Sequence, residues 1–190
     1  MPKIQMPKEK ILDAALKIII RDGHERMNIK TVANELNKST QTISWTFGNM
    51  EKFREEVYEY ALEYANKKME SNSNDPMEEY GKVGYIYIDM AFDEPNLILY
   101  LRSDKKRLMS YGGFGKSFEP KKRQERIKAF SKMYNCSLED ADKFILNMII
   151  YTQGLVSMIL QSNQLNIDKE GAYQKLYEIG RDLMKAYIIS

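Results

Sequence analysis

The chain has 190 residues, 29 lysines and arginines against 27 aspartates and glutamates, a formal charge of +2, and 43% hydrophobic residues. That length holds a small domain and a larger second core, and the composition excludes a disordered chain. One cysteine excludes an intramolecular disulfide, one cysteine with one histidine excludes a structural zinc site, and a charge of +2 neither requires nor forbids a nucleic-acid partner.

The first pattern along the chain is residues 28–47, NIKTVANELNKSTQTISWTF, which read as two short helices meeting at a turn. Val32, Ala33 and Leu36 fall at i, i+1 and i+4, and Ile43 and Phe47 at i and i+4, so each helix has one narrow apolar stripe. Asn28 and Ser39 stand where each helix needs an N-cap. Asn37 between them suits the left-handed residue of a turn. Asn49 caps a third helix, with Glu51 in its first turn where the helix dipole favours an acid. Wound at the helical period, residues 39–47 turn Ile43 and Phe47 inward and place Gln41 and Trp45 at the centre of the outer face, flanked by Thr42 and Ser44. That face carries no formal charge, and a tryptophan on it calls for a cover. Glutamine donates and accepts at an adenine edge, threonine and serine reach bases or phosphates, and a large apolar side chain meets thymine methyls. The pair is a helix-turn-helix whose second helix fits a major groove. The plainer alternative packs Trp45 under the third helix or into a subunit contact.

The helix capped by Asn49, fourth in the chain when the one before Gly23 is counted, runs from Met50 to about Glu70 and ends at the polar hinge Ser71-Asn72-Ser73-Asn74. Asp75-Pro76-Met77-Glu78 restarts a helix to about Phe92, because it supplies an N-cap, a proline at the first helical position and an acid in the first turn. Asp93-Glu94-Pro95 breaks the chain before the short segment Asn96 to Arg102. Residues 103–118, with Gly112, Gly113 and Gly115 around Phe114, read as a mobile loop; their spacing fits no phosphate-binding glycine motif. Pro120 to about Tyr134 is a helix whose basic face is a solvated surface. Ser137-Leu138-Glu139-Asp140 opens a long apolar helix through Ile159, with a stripe wider than one neighbour needs. The last helix, Asp168 to about Ile188, presents Tyr173, Leu176, Ile179, Leu183 and Tyr187. These last two helices can pair with symmetry mates in a four-helix bundle or complete the protomer core.

Catalytic chemistry is scarce. His24, the single histidine, stands beside Gly23 at a helix end and reads as a cap for carbonyls. No nucleophile set assembles away from it, so the reading is not an enzyme, with no cofactor and no metal. Thirteen tyrosines and twelve methionines are many for this length. Tyr85, Met90, Phe92, Tyr100, Met109, Phe114, Tyr151 and Met158 therefore form a candidate ligand pocket, enclosed by residues 76–102 and 138–161 and gated near Phe114. Ordinary core packing would give the same composition. No signal peptide and no apolar run of eighteen or more is read, so a reducing cytoplasm and no membrane are the expectation.

The N-terminal segment resembles the DNA-binding domain of the tetracycline-repressor (TetR) family over roughly residues 8–60. The matching residues are Ile11-Leu12-Asp13-Ala14-Ala15, Gly23, Val32-Ala33, Ser39 with Thr42-Ile43, and Phe47 with Asn49 and Glu51. Departures are Asn37-Lys38-Ser39 at the family's Gly-Val-Ser turn, Gln41 at a common glycine, Ser44 and Thr46 at two aromatic-rich positions, and Met50 at a frequent lysine. Lys30, Lys38, Lys52, Lys3, Lys8 and Lys10 are the candidate phosphate anchors in their place. The resemblance implies an all-α chain, with a DNA-binding domain at 1–48 joined by a long fourth helix to a ligand-binding and dimerisation domain at 49–190. It implies a homodimeric repressor released from a double-stranded DNA operator by a small apolar or amphipathic effector. The DNA-contacting set is Asn28, Lys30, Lys38, Ser39, Thr40, Gln41, Thr42, Ser44, Trp45 and Thr46. The alternative is a helical ligand-binding or scaffold dimer without specific DNA binding.

Overall fold

The computed structural model describes residues 6–70, 76–103, 119–161 and 166–188; among these the chain forms nine α-helices and one 3-10 turn, with no strand. The helices are α1 (Lys8–Asp22), α2 (Ile29–Glu35), α3 (Thr40–Phe47), α4 (Met50–Met69), α5 (Pro76–Asp93), α6 (Pro95–Arg102), α7 (Pro120–Tyr134), α8 (Leu138–Leu160) and α9 (Lys169–Tyr187), with the 3-10 turn at His24–Arg26. Their ends follow the sequence signals. Asn28 caps α2, Ser39 caps α3, Ser137 caps α8 and Asp168 caps α9, each accepting from backbone N–H groups of the first turn. Asn37 and Asn135 take the left-handed conformation, at φ 52° and 49°, where the chain turns after α2 and α7.

The chain divides into two compact units, one running through Tyr64 and taking in Glu94–Ser103, the other holding Ala65–Asp93 and the rest of the described C-terminal part. The first unit thus extends beyond residue 48, because α4 shares its core through Phe53, Val57 and Ala61, all buried. It also includes α6, although a boundary at residue 48 would put α6 in the second domain. The Asn96 amide donates to the Ile20 carbonyl at 3.1 Å, and the Tyr58 hydroxyl donates to the Leu101 carbonyl at 3.0 Å. Tyr100 is held there between the rings of His24, at 5.7 Å, and Tyr58, at 5.6 Å. His24 accordingly packs its ring on Tyr100, while its backbone carbonyl accepts from Met27 in the 3-10 turn.

In the second unit α5 packs on α7, α8 and α9, and α8 packs on both α7 and α9. Phe130, Ala141, Phe144 and Ile145 form a buried cluster, with Leu183 and Tyr187 of α9 against it. Leu176 is 4% exposed, so this stripe of α9 completes the protomer core. The large apolar residues that α8 leaves outside are Leu138, Leu146, Ile150 and Met158, between 39% and 60% exposed. Among the described residues α8 is the one helix long and apolar enough to cross a membrane, with a mean hydropathy of 1.4 over its most apolar window. Asn147, Thr152, Gln153 and Ser157 interrupt it, and three helices pack on it.

Candidate nucleic-acid interface and cavity

The first unit fixes α3 by its buried edge. Ile43 and Phe47 are 0% and 3% exposed, with Val32 and Ala33 of α2 and the apolar face of α1 buried alongside them. Phe47 meets Phe53 of α4 edge-on at 4.9 Å. Gly48, at φ 79°, ends α3 with its N–H on the Ser44 carbonyl, and the Asn49 carboxamide then accepts from Lys52 N–H at 2.8 Å to start α4. The sequence reading used Asn49 and passed over Gly48, although a glycine after an apolar helix end is the ordinary stop signal. Between α2 and α3, Lys38 N–H reaches the Ala33 carbonyl at 2.9 Å, which makes the turn tight.

The opposite face of α3 is exposed at Thr40, Gln41, Ser44 and Trp45, the last at 57%. Thr42 and Thr46 are half-buried, and the Thr46 hydroxyl donates to the Thr42 carbonyl at 3.0 Å, which leaves it only acceptor capacity toward a ligand. The Ser39 hydroxyl lies 3.1 Å from that of Thr42 and caps the helix. Asn28 is exposed and caps α2: its oxygen accepts from Lys30 and Thr31 N–H, and one N–H of its amide donates to the Arg26 carbonyl, which leaves one N–H for a further partner. Lys30, Lys38 and Lys52 stand exposed at helix ends around α3. Lys8 is exposed but paired with Glu56 and set over the Phe47 ring at 5.4 Å, so it ties α1 to α4; Lys10 is also exposed, and Lys3 lies outside the described residues. Arg21 bridges to Asp22 and Glu35, and these carboxylates, Asp22 first, push its pKa up.

The second unit contains a cavity of about 460 Å³. Its described walls are Gly81, Val83, Gly84, Tyr85 and Tyr87 of α5, Phe130 and Tyr134 of α7, Phe144, Met148, Ile149 and Thr152 of α8, and Leu176, Tyr177, Gly180, Arg181, Met184 and Lys185 of α9. Small residues make the space. Gly84 lets α5 approach α9 so closely that a Cβ there would meet Leu176 Cδ2 at 3.0 Å, and a Cβ at Gly180 would find Met148 at 3.7 Å. Of the tyrosines and methionines named from sequence, Tyr85 lines this cavity. Met90 is buried core, Phe92 and Tyr151 are half-buried, Met158 is exposed, and Tyr100 belongs to the first unit. Met109, Phe114 and the glycines beside it lie outside the described residues. Aromatic composition could not separate wall from core, whereas glycines at 81, 84 and 180 on two facing helices could have marked the space.

Tyr173 donates its hydroxyl to Asp89, and Lys169 bridges Asp89 at 3.4 Å and Asp93 at 2.8 Å, fastening α9 to α5. Burial, and then Asp89, push the Tyr173 phenol up to about 12. Burial likewise pushes the Cys136 thiol up, away from the thiolate that nucleophilic chemistry needs. No cluster of His, Cys, Asp or Glu able to hold a metal occurs among the described residues.

No family model matches the chain and no curated protein matches it. Solved structures do. A putative TetR-family transcriptional regulator from Rhodococcus sp. aligns at a TM-score of 0.60 and 16% identity over 93% of this chain and 97% of that one. A transcriptional regulator from Rhodococcus sp. Rha1 aligns at 0.59 and 12% identity over 94% and 96%, and a TetR-like regulator from Rhodococcus sp. RHA1 at 0.56 and 10% over 91% and 92%. The chain shares the all-α fold of these regulators.

Proposed function

We propose that the protein is a cytoplasmic, homodimeric DNA-binding transcriptional regulator, a repressor that leaves its operator when a small apolar or amphipathic effector binds. One observation carries this reading: α3 buries Ile43 and Phe47 and holds an uncharged outer face with Trp45 57% exposed. A soluble chain gains little from a rigid tryptophan in water, and a groove lined with base edges and thymine methyls would cover it. Gln41 and Trp45 read bases, while Lys30, Lys38 and Lys52 neutralise phosphates. Two such helices must enter successive major grooves, about 34–36 Å apart, which requires a dimer. The exposed stripe Leu146, Ile150 and Met158 on α8 supports one, formed by pairing α8 and α9 with their symmetry mates. An effector in the second unit acts through differential affinity for DNA-competent and incompetent shapes, with coupling of about 1–3 kcal/mol. Selection of bound genomic fragments, followed by a salt titration on them and on random duplex, tests the reading. Enrichment of a palindrome bound at least ~1000-fold above random DNA is expected; equal affinity for both would leave a helical scaffold or ligand-binding dimer.

A further inference from the structure

The cavity has a polarity that the effector reading does not specify. Its buried polar groups are already committed within the protein: the Thr152 hydroxyl donates to the Met148 carbonyl at 2.8 Å, and the Tyr87 hydroxyl donates to Gln153 Oε1 at 3.1 Å. Tyr85, Tyr134 and Tyr177, which add phenol groups to the lining, are exposed residues. The rest of the uncharged lining is aromatic, aliphatic and thioether surface, conformable through Met148 and deepened by Gly180. Charge enters at one edge. Arg181 and Lys185, one turn apart on α9, are exposed lining residues, and no aspartate or glutamate stands among the described walls. Asp182, whose carboxylate meets Arg181 Nε at 3.2 Å, does not line the cavity. An apolar chamber with two cations at its mouth discriminates between amphiphiles by the sign of the head.

We propose that this cavity binds a single-chain amphiphile with one anionic head, its apolar body between α5 and α8 and its head at Arg181 and Lys185. The inference rests on the effector reading above for its regulatory consequence, and its binding chemistry is tested separately. The probes are dodecanoate, dodecanol and dodecyltrimethylammonium, each below its micelle-forming concentration, titrated calorimetrically into the full chain. Dodecanoate should bind once per chain, roughly ten-fold tighter than dodecanol, as two rim-exposed charge contacts permit, with the cation weaker than either. Arg181→Gln combined with Lys185→Gln should reduce dodecanoate to the level of dodecanol and leave dodecanol unchanged. Gly180→Leu, whose side chain enters the cavity past Met148, should abolish both without lowering the melting temperature. Dodecanol binding as tightly as dodecanoate, indifference to the double substitution, absence of any binding, or full binding by a folded Gly180→Leu variant would each overturn the proposal. Dodecanoate that binds as described but leaves operator affinity unchanged would support the cavity chemistry and remove its role as the switch.

Discussion

The two faces of α3 make opposite demands, and one pair of substitutions separates them. Ile43 is fully buried and Trp45 is 57% exposed, two residues apart on the same helix. Ile43→Ala removes buried carbons from the small core formed with Val32, Ala33 and Phe47, so about 3–4 kcal/mol of stability should be lost. Trp45→Ala removes a ring that is mostly in water and replaces it with the best helix former, so stability should stay within about 1 kcal/mol. Binding should behave the other way round. On the selected operator Trp45→Ala and Gln41→Ala should each lose about 1–3 kcal/mol, and on random duplex almost nothing, because base contacts discriminate and phosphate contacts do not. Urea denaturation gives the first comparison and equilibrium titration of labelled duplexes the second. If Trp45→Ala unfolds as readily as Ile43→Ala, the ring is a packing element; if it binds operator like the parent, α3 does not read DNA.

Lys38→Ala should weaken operator and random DNA alike and flatten the log–log salt slope by roughly one, read from titrations at several salt concentrations. Ile150→Glu should give a folded monomer by light scattering, because Ile150 is 60% exposed in the protomer and only a partner would bury it. Asn37→Val should lower stability by about 1–2 kcal/mol, since a β-branched residue resists φ 52°, whereas Asn37→Gly should be near neutral in the same melt. Burial, and then Tyr58, push the Tyr100 phenol up to about 12 from the ordinary 10.0 of a tyrosine. The folded chain therefore keeps this proton longer than the unfolded chain. The stabilisation is complete below pH 10 and falls as pH rises toward 12, by on the order of 2 kcal/mol. Tyr100→Phe, which keeps the ring contacts, should flatten that alkaline decline in denaturant melts.

What could be read from sequence was local. Asn28, Ser39, Asn49, Ser137 and Asp168 announce helix starts because a side-chain oxygen near its own backbone N–H groups needs no distant partner. The inward and outward faces of α3 follow from the helical period, and Ile43, Phe47 and Trp45 stand where that period puts them. What depends on distant partners was hidden. The return of α6 to the first unit rests on Asn96 finding the Ile20 carbonyl and Tyr58 finding that of Leu101, bonds across 76 and 43 residues that no periodicity encodes. The cavity walls escaped for a related reason: tyrosine and methionine serve core and pocket equally, and glycines at facing helical positions decide which. By sequence Leu176 fits a subunit contact and the protomer core equally; packing within the protomer leaves it 4% exposed.

The most direct test of the central claim is recovery of DNA from the organism's own genome by the full chain, with each enriched fragment then titrated against random duplex. A two-fold symmetric site with half-sites about 34–36 Å apart is expected. Adenine and thymine should stand at the positions facing Gln41 and Trp45, because residues 39–47 include no lysine or arginine to pair with guanine. No enrichment, with equal affinity for every duplex, would contradict the central claim.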